Sequence, residues 1–87
     1  MKKRALGNAL YTLRKKSNLT QAEFAEKSGL SQSEISRLEG GYRWATDRTL
    51  DLIGEALGID PMEIMKIAYD EHNKPEAKKW RSLKDDN

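Results

Sequence analysis

The 87-residue sequence predicts an all-helical domain built from five helices. Three observations lead there. No stretch alternates apolar and polar residues over a useful length, and β-branched and aromatic residues are sparse, so strand signals are nearly absent. Apolar residues recur instead at helical spacing, as in Leu6, Leu10 and Leu13. Helix start and stop signals punctuate the chain at short intervals.

The first helix is expected from Ala5 to about Lys16, with Leu6, Leu10 and Leu13 as its apolar stripe. Lys15 and Lys16 stand in its last turn, where cations complement the negative end of the helix dipole, and Ser17-Asn18 ends it. Thr20 reads as the N-cap of a second helix, and Glu23, three residues on, completes a capping box. Leu19, just outside that cap, is placed to pack on Phe24. This helix closes at Ser28-Gly29, since glycine readily takes the left-handed conformation of a helix end. Ser31 with Glu34 repeats the capping pattern, so a third helix runs from Gln32 to about Glu39 and stops at Gly40-Gly41. Two short capped helices joined by so tight a turn are fixed at a steep mutual angle, which is the helix-turn-helix geometry.

Beyond a loop through Tyr42, Arg43, Trp44 and Ala45, Thr46 or Asp47 caps a fourth helix whose Leu50, Ile53 and Leu57 face inward, and Gly58 closes it. Gly54 inside it costs about 1 kcal/mol relative to alanine, which either reflects tolerance or permits close approach of another helix. Asp60-Pro61-Met62-Glu63 starts a fifth helix, with Asp as cap and Pro at the first helical position, expected to reach about Tyr69. Residues 1–69 thus make the domain. Residues 70–87 are expected to be a charged tail rather than a sixth helix, although Ala77, Trp80 and Leu83 would share one side of a helix from Pro75 to Leu83. Trp80 suggests an anchor, folding back or meeting a second subunit, with a loose tail as the alternative.

Composition narrows the function. A chain this short has no room for a separate catalytic domain or a deep substrate cavity. It has no cysteine, hence no disulfide and no thiolate metal site, which suits a reducing cytosol. Neither a secretion signal nor a membrane-spanning apolar run is visible, and a cytoplasmic protein is expected. His72 is the single histidine and lacks a second ligand at a sensible spacing, so neither a metal nor a cofactor is expected. No paired carboxylates with a nucleophile, and no glycine-rich phosphate loop, point to an enzyme or a small-molecule substrate. Charge is divided unevenly. Residues 1–45 carry nine basic and four acidic side chains, net +5, whereas residues 46–87 carry seven and ten, net −3. A basic N-terminal half is the footprint of a polyanionic partner.

The third helix has the matching chemistry. At about 100° per residue, with Gln32 at zero, Ile35 and Leu38 fall near ~300° and ~240°, while Ser33, Ser36 and Arg37 fall near ~100°, ~40° and ~140°. The outward face therefore presents Gln32, Ser33, Ser36 and Arg37, all able to hydrogen-bond base edges in the major groove. Gln can pair with adenine N6 and N7 together, Arg can fork onto guanine O6 and N7, and Ser adapts to several bases.

The stretch LTQAEFAEKSGLSQSEISRLEGGYR resembles the Cro/repressor type of helix-turn-helix domain, the XRE family. Gln21 opening the second helix, Ala25 within it, Gly29 in the turn, Ile35 and Leu38 in the third helix and Glu39-Gly40-Gly41 after it carry the likeness, which extends over residues 5–69. The resemblance implies a lambda-repressor-like fold and double-stranded DNA as partner. It implies that Gln21 reaches a phosphate, that Gln32, Ser33 and Arg37 touch bases, that Ser31 and Ser36 meet the backbone or the groove edge, and that Arg43 clamps a flanking phosphate. It also implies a structural ion pair between Arg14 and Glu39. Two residues depart from the pattern. Glu34 puts an acid on the flank of the reading helix, where a capping role is expected. Trp44 is expected to pack into the core rather than against the sugar-phosphate backbone. One module makes few contacts, so a homodimer on a palindromic operator, with half-sites about 34–36 Å apart, is the expected working form of a transcriptional regulator. The rival is a protein-interaction adaptor or antitoxin on the same fold, supported by the acidic C-terminal half and Trp80.

Overall fold

Helix α1 (Lys3–Lys16) starts two residues ahead of the expected Ala5, because lysine and arginine are good helix formers and can extend the helix into solvent. The computed structural model describes residues 2–72, and among them are four further helices: α2 (Gln21–Ser28), α3 (Gln32–Glu39), α4 (Asp47–Leu57) and α5 (Pro61–His72). No strand occurs among the described residues. The fifth helix continues past Tyr69, since a change to charged residues does not itself end a helix. The expectations for Pro75–Leu83 and Trp80 lie outside the described residues.

Local signals account for the boundaries. The Glu23 N–H donates to Thr20 Oγ1 at 3.1 Å and the Thr20 N–H donates to Glu23 Oε1 at 2.9 Å, a complete capping box. Gly29 closes α2 at φ +81°, a conformation that disfavours side chains with a Cβ. Thr46, not Asp47, caps α4, its hydroxyl accepting from the Thr49 N–H at 3.1 Å. Asp60 accepts from the Met62 N–H at 2.8 Å at the head of α5.

Helix α1 is the centre of the packing and touches both α5 and α3, while α4 packs on α2 and α5. Leu6, Leu10, Phe24, Ile35, Leu38, Ile53 and Ile64 are fully buried, each contributing about 1.5–3 kcal/mol over the exposed state. Leu13 and Leu19 are only partly buried, packed on the edge of this cluster. Trp44 does not join the core and remains 41% exposed. Ala45 is the loop residue that is buried there, because the turn into α4 directs the smaller neighbour inward.

Gly54 is a close-approach position. A Cβ there would stand 2.6 Å from the Ile59 carbonyl oxygen and 3.2 Å from Pro61 Cγ, where the α4–α5 connection folds back. On an exposed helix Gly→Ala gains about 1 kcal/mol. Here Gly54→Ala is expected to lose about 1–3 kcal/mol instead, read as a lower urea midpoint at unchanged slope.

Candidate nucleic-acid interface

The reading helix is held from both ends. At its start the Glu34 N–H donates to Ser31 Oγ and the Ser31 N–H donates to Glu34 Oε1, both at 3.0 Å. The Ser31 N–H bond to the carboxylate is the main cause holding the Glu34 carboxyl below its ordinary range. At its other end Gly40 and Gly41 turn the chain away, Gly41 at φ +80°. Ile35 and Leu38 anchor the inner face in the core. Gln32, Ser33, Ser36 and Arg37 are all exposed on the outer face, with Ser31 exposed just ahead of them. Ser31 already uses its oxygen as the cap, which leaves its hydroxyl proton to donate outward.

Beneath this face lies a buried polar network. The Arg14 guanidinium donates to Glu39 through Nε at 2.7 Å and through Nη2 at 3.0 Å, a forked ion pair whose side chains are 7% and 2% exposed. Its Nη1 donates to the Leu19 carbonyl at 2.8 Å, and the guanidinium carbon sits 5.3 Å from the Tyr11 ring centre. The pair thus ties α1 to the end of α3 and also to the segment entering α2. Gln21, half-buried at the first position of α2, donates its amide to Glu39 Oε1 at 3.1 Å. This bond points the Gln21 side chain toward α3, and the same amide group is the one expected at a phosphate.

Gln21 and Gln32 meet at a concave notch in front of the α2 N-terminus, bordered also by Lys15, Asn18 and Thr20. The amides at the positive end of a helix open toward such a notch, a setting favourable to an anion. The sequence marks Lys15 and Asn18 only as helix-end residues and not as part of the interface. The available signal was their placement at the end of α1, just ahead of a capped helix. Arg43 is exposed at the opposite flank, its Nη1 3.8 Å from Glu34 Oε2. Gly7 was also missed, because the feature that makes it matter is the carbonyl edge of α3 lying against it. No cluster of His, Cys, Asp and Glu able to hold a metal occurs among the described residues. Nor is any described helix long and apolar enough to cross a membrane.

A short helix capped at its head, clamped at its tail and exposing only hydrogen-bonding side chains defines a DNA-binding helix-turn-helix domain. The chain belongs to the helix-turn-helix family of the XRE type, whose family model matches residues 10–64. It is a DNA-binding transcription regulator of that family. It is 36% identical over 63 residues to the HTH-type transcriptional regulator y4dJ of Sinorhizobium fredii, covering 72% of this chain and 82% of that protein. It is 32% identical over 60 residues to the antitoxin PezA of Streptococcus pneumoniae, covering 69% of this chain but only 38% of PezA. Among solved structures, the clp gene regulator ClgR from C. glutamicum superposes with a TM-score of 0.73 at 31% identity, over 78% of this chain and 88% of that one. The restriction-modification controller protein C.Esp1396I superposes with a TM-score of 0.73 at 25% identity, over 83% and 92% of the two chains.

Proposed function

We propose that the chain works as a homodimer that binds a palindromic operator, each subunit laying α3 in the major groove and acting as a repressor. The carrying observation is the sorting of α3, with Gln32, Ser33, Ser36 and Arg37 exposed while Ile35, Leu38 and Glu39 are buried. In this reading Gln32, Ser33 and Arg37 contact base edges, and Ser31 and Ser36 meet the backbone or groove edge. Gln21 takes one phosphate at the α2 notch and Arg43 takes another beyond α3. The protein works in the cytoplasm, on the nucleoid when bound.

Selection of bound duplexes from a random library at near-physiological salt tests the reading. Enrichment of a palindrome with half-sites one helical turn apart is the expected result, and salt-sensitive binding with no enriched sequence would overturn it. Arg37→Ala is expected to weaken operator binding by about 1–3 kcal/mol and to relax preference at one base pair, whereas Gln21→Ala weakens every duplex nearly equally. Titration of single-base operator variants by fluorescence anisotropy separates the two patterns. The likeness to an antitoxin favours a second reading, in which a partner protein is the main ligand and DNA binding is secondary. Under that reading Arg37→Ala leaves the biological activity intact.

A further inference from the structure

Of the two acids in α3, Glu39 is buried and engaged by Arg14 and Gln21, so Glu34 is the negative charge that the helix presents to a polyanion. An acid beside a phosphate-binding surface needs a physical reason. Capping supplies only half of one. The capping box uses Oε1, which accepts from the Ser31 N–H at 3.0 Å, and glutamine would serve that position as well as glutamate. The charge, and the second oxygen, are left over. That oxygen, Oε2, faces Arg43 Nη1 at 3.8 Å.

We propose that Glu34 is a specificity-determining residue, whose charge tethers the Arg43 guanidinium so that it meets a phosphate in the operator register and not in others. The inference rests on the DNA-binding reading above. Both side chains are partly exposed, 45% for Arg43 and 35% for Glu34, so the pair itself adds little stability. Its effect lies in placement and in the number of phosphates neutralised. Arg43 leaves the chain just past Gly41 and Tyr42, and among the described residues Glu34 is the acid that its head group meets. Anchored at its N-terminal turn by Ser31, Glu34 is a fixed point on the reading helix, so the tethered guanidinium moves with that helix. When α3 sits correctly in its groove, Arg43 spans carboxylate and phosphate together. In a loosely bound complex the phosphate is elsewhere, and reaching it means leaving Glu34, with no net gain of an ion pair and a bare carboxylate left near the backbone.

Glu34→Gln keeps the capping box and removes the charge, so folding is retained. Wild type, E34Q, R43Q and the double variant are titrated by fluorescence anisotropy with the library-enriched duplex and with a scrambled duplex of equal length and composition, over a series of salt concentrations. For the scrambled duplex, E34Q is expected to steepen the salt dependence by up to about 0.9 in log–log slope, the value of one added phosphate, and to raise affinity about three- to fivefold at ~0.1 M salt. Operator affinity is expected to change less than about twofold, so the specificity ratio falls by nearly the whole of that gain. In the R43Q background the slope change from E34Q is expected to vanish, leaving only the smaller affinity gain that comes from removing a carboxylate near the backbone. Equal gains on both duplexes, an unchanged slope on the scrambled duplex, or a full E34Q effect without Arg43 would each overturn the proposal while leaving DNA binding standing. A wild-type chain that binds no duplex in a salt-dependent way would instead remove the reading on which the proposal rests.

Discussion

Gly7→Val is expected to leave the chain largely unfolded at room temperature, and Gly7→Ala to lower its stability by about 3 kcal/mol or more. The reason lies across the helix interface. A Cβ on Gly7 would stand 2.6 Å from the carbonyl oxygens of both Leu38 and Glu39. Those atoms are backbone at the C-terminal end of α3, so no side chain can swing aside to make room. Either α1 and α3 separate, opening the core around Leu6, Leu10 and Leu38, or the last turn of α3 unwinds. A domain of this size holds roughly 4–10 kcal/mol in total, so the valine penalty consumes most of it. The sign makes the test sharp, since glycine within a helix is ordinarily about 1 kcal/mol worse than alanine. Urea denaturation followed by far-UV circular dichroism reads it directly, and an alanine variant as stable as wild type would show that α1 and α3 do not approach this closely.

Gly7 also marks where the sequence stops being legible. The α2–turn–α3 unit could be read residue by residue because its signals are local. Thr20 with Glu23, Gly29, and Ser31 with Glu34 each act within four residues of chain, and their consequences follow from backbone chemistry alone. The solvent face of α3 was legible for the same reason, since Ile35 and Leu38 fix which side turns inward. A glycine required by another helix carries no such local mark. Gly54 could be given two readings but not decided, because the deciding atom, the Ile59 carbonyl, belongs to the following turn. Trp44 is expected in the core on its size and hydrophobicity but stays 41% exposed, because the loop's path into Thr46 buries its neighbour Ala45 instead. Helix α5 runs to His72, beyond the expected Tyr69, because a run of charged residues without glycine or proline does not stop a helix. The proximity of Arg14 to Glu39, far apart in the chain, came through the family resemblance, and the bond from Gln21 to the same carboxylate was not foreseen at all.

That carboxylate carries the second large effect. Glu39→Ala is expected to cost about 3–5 kcal/mol, because it strands a guanidinium in a site where only 7% of the Arg14 side chain is exposed. Arg14→Ala strands the carboxylate and is expected to cost a similar amount. Lysine does not substitute for Arg14, since a single ammonium cannot make the fork to both Glu39 oxygens and also reach the Leu19 carbonyl. The pair is nevertheless not required for folding as such. Replacing both partners with apolar residues of similar volume, Arg14→Met with Glu39→Leu, removes both buried charges at once and is expected to recover most of the lost stability. DNA binding should not recover with it. Gln21 donates to Glu39, so the double variant loses the atom that orients the Gln21 amide at the mouth of the α2 notch. Thermal or urea unfolding of the single and double variants, set beside their duplex titrations, separates these two roles. Recovery of stability without recovery of affinity means that the buried pair acts as a bracket for the phosphate-facing side of the domain. Recovery of both would mean that α3 is placed by its apolar anchors alone.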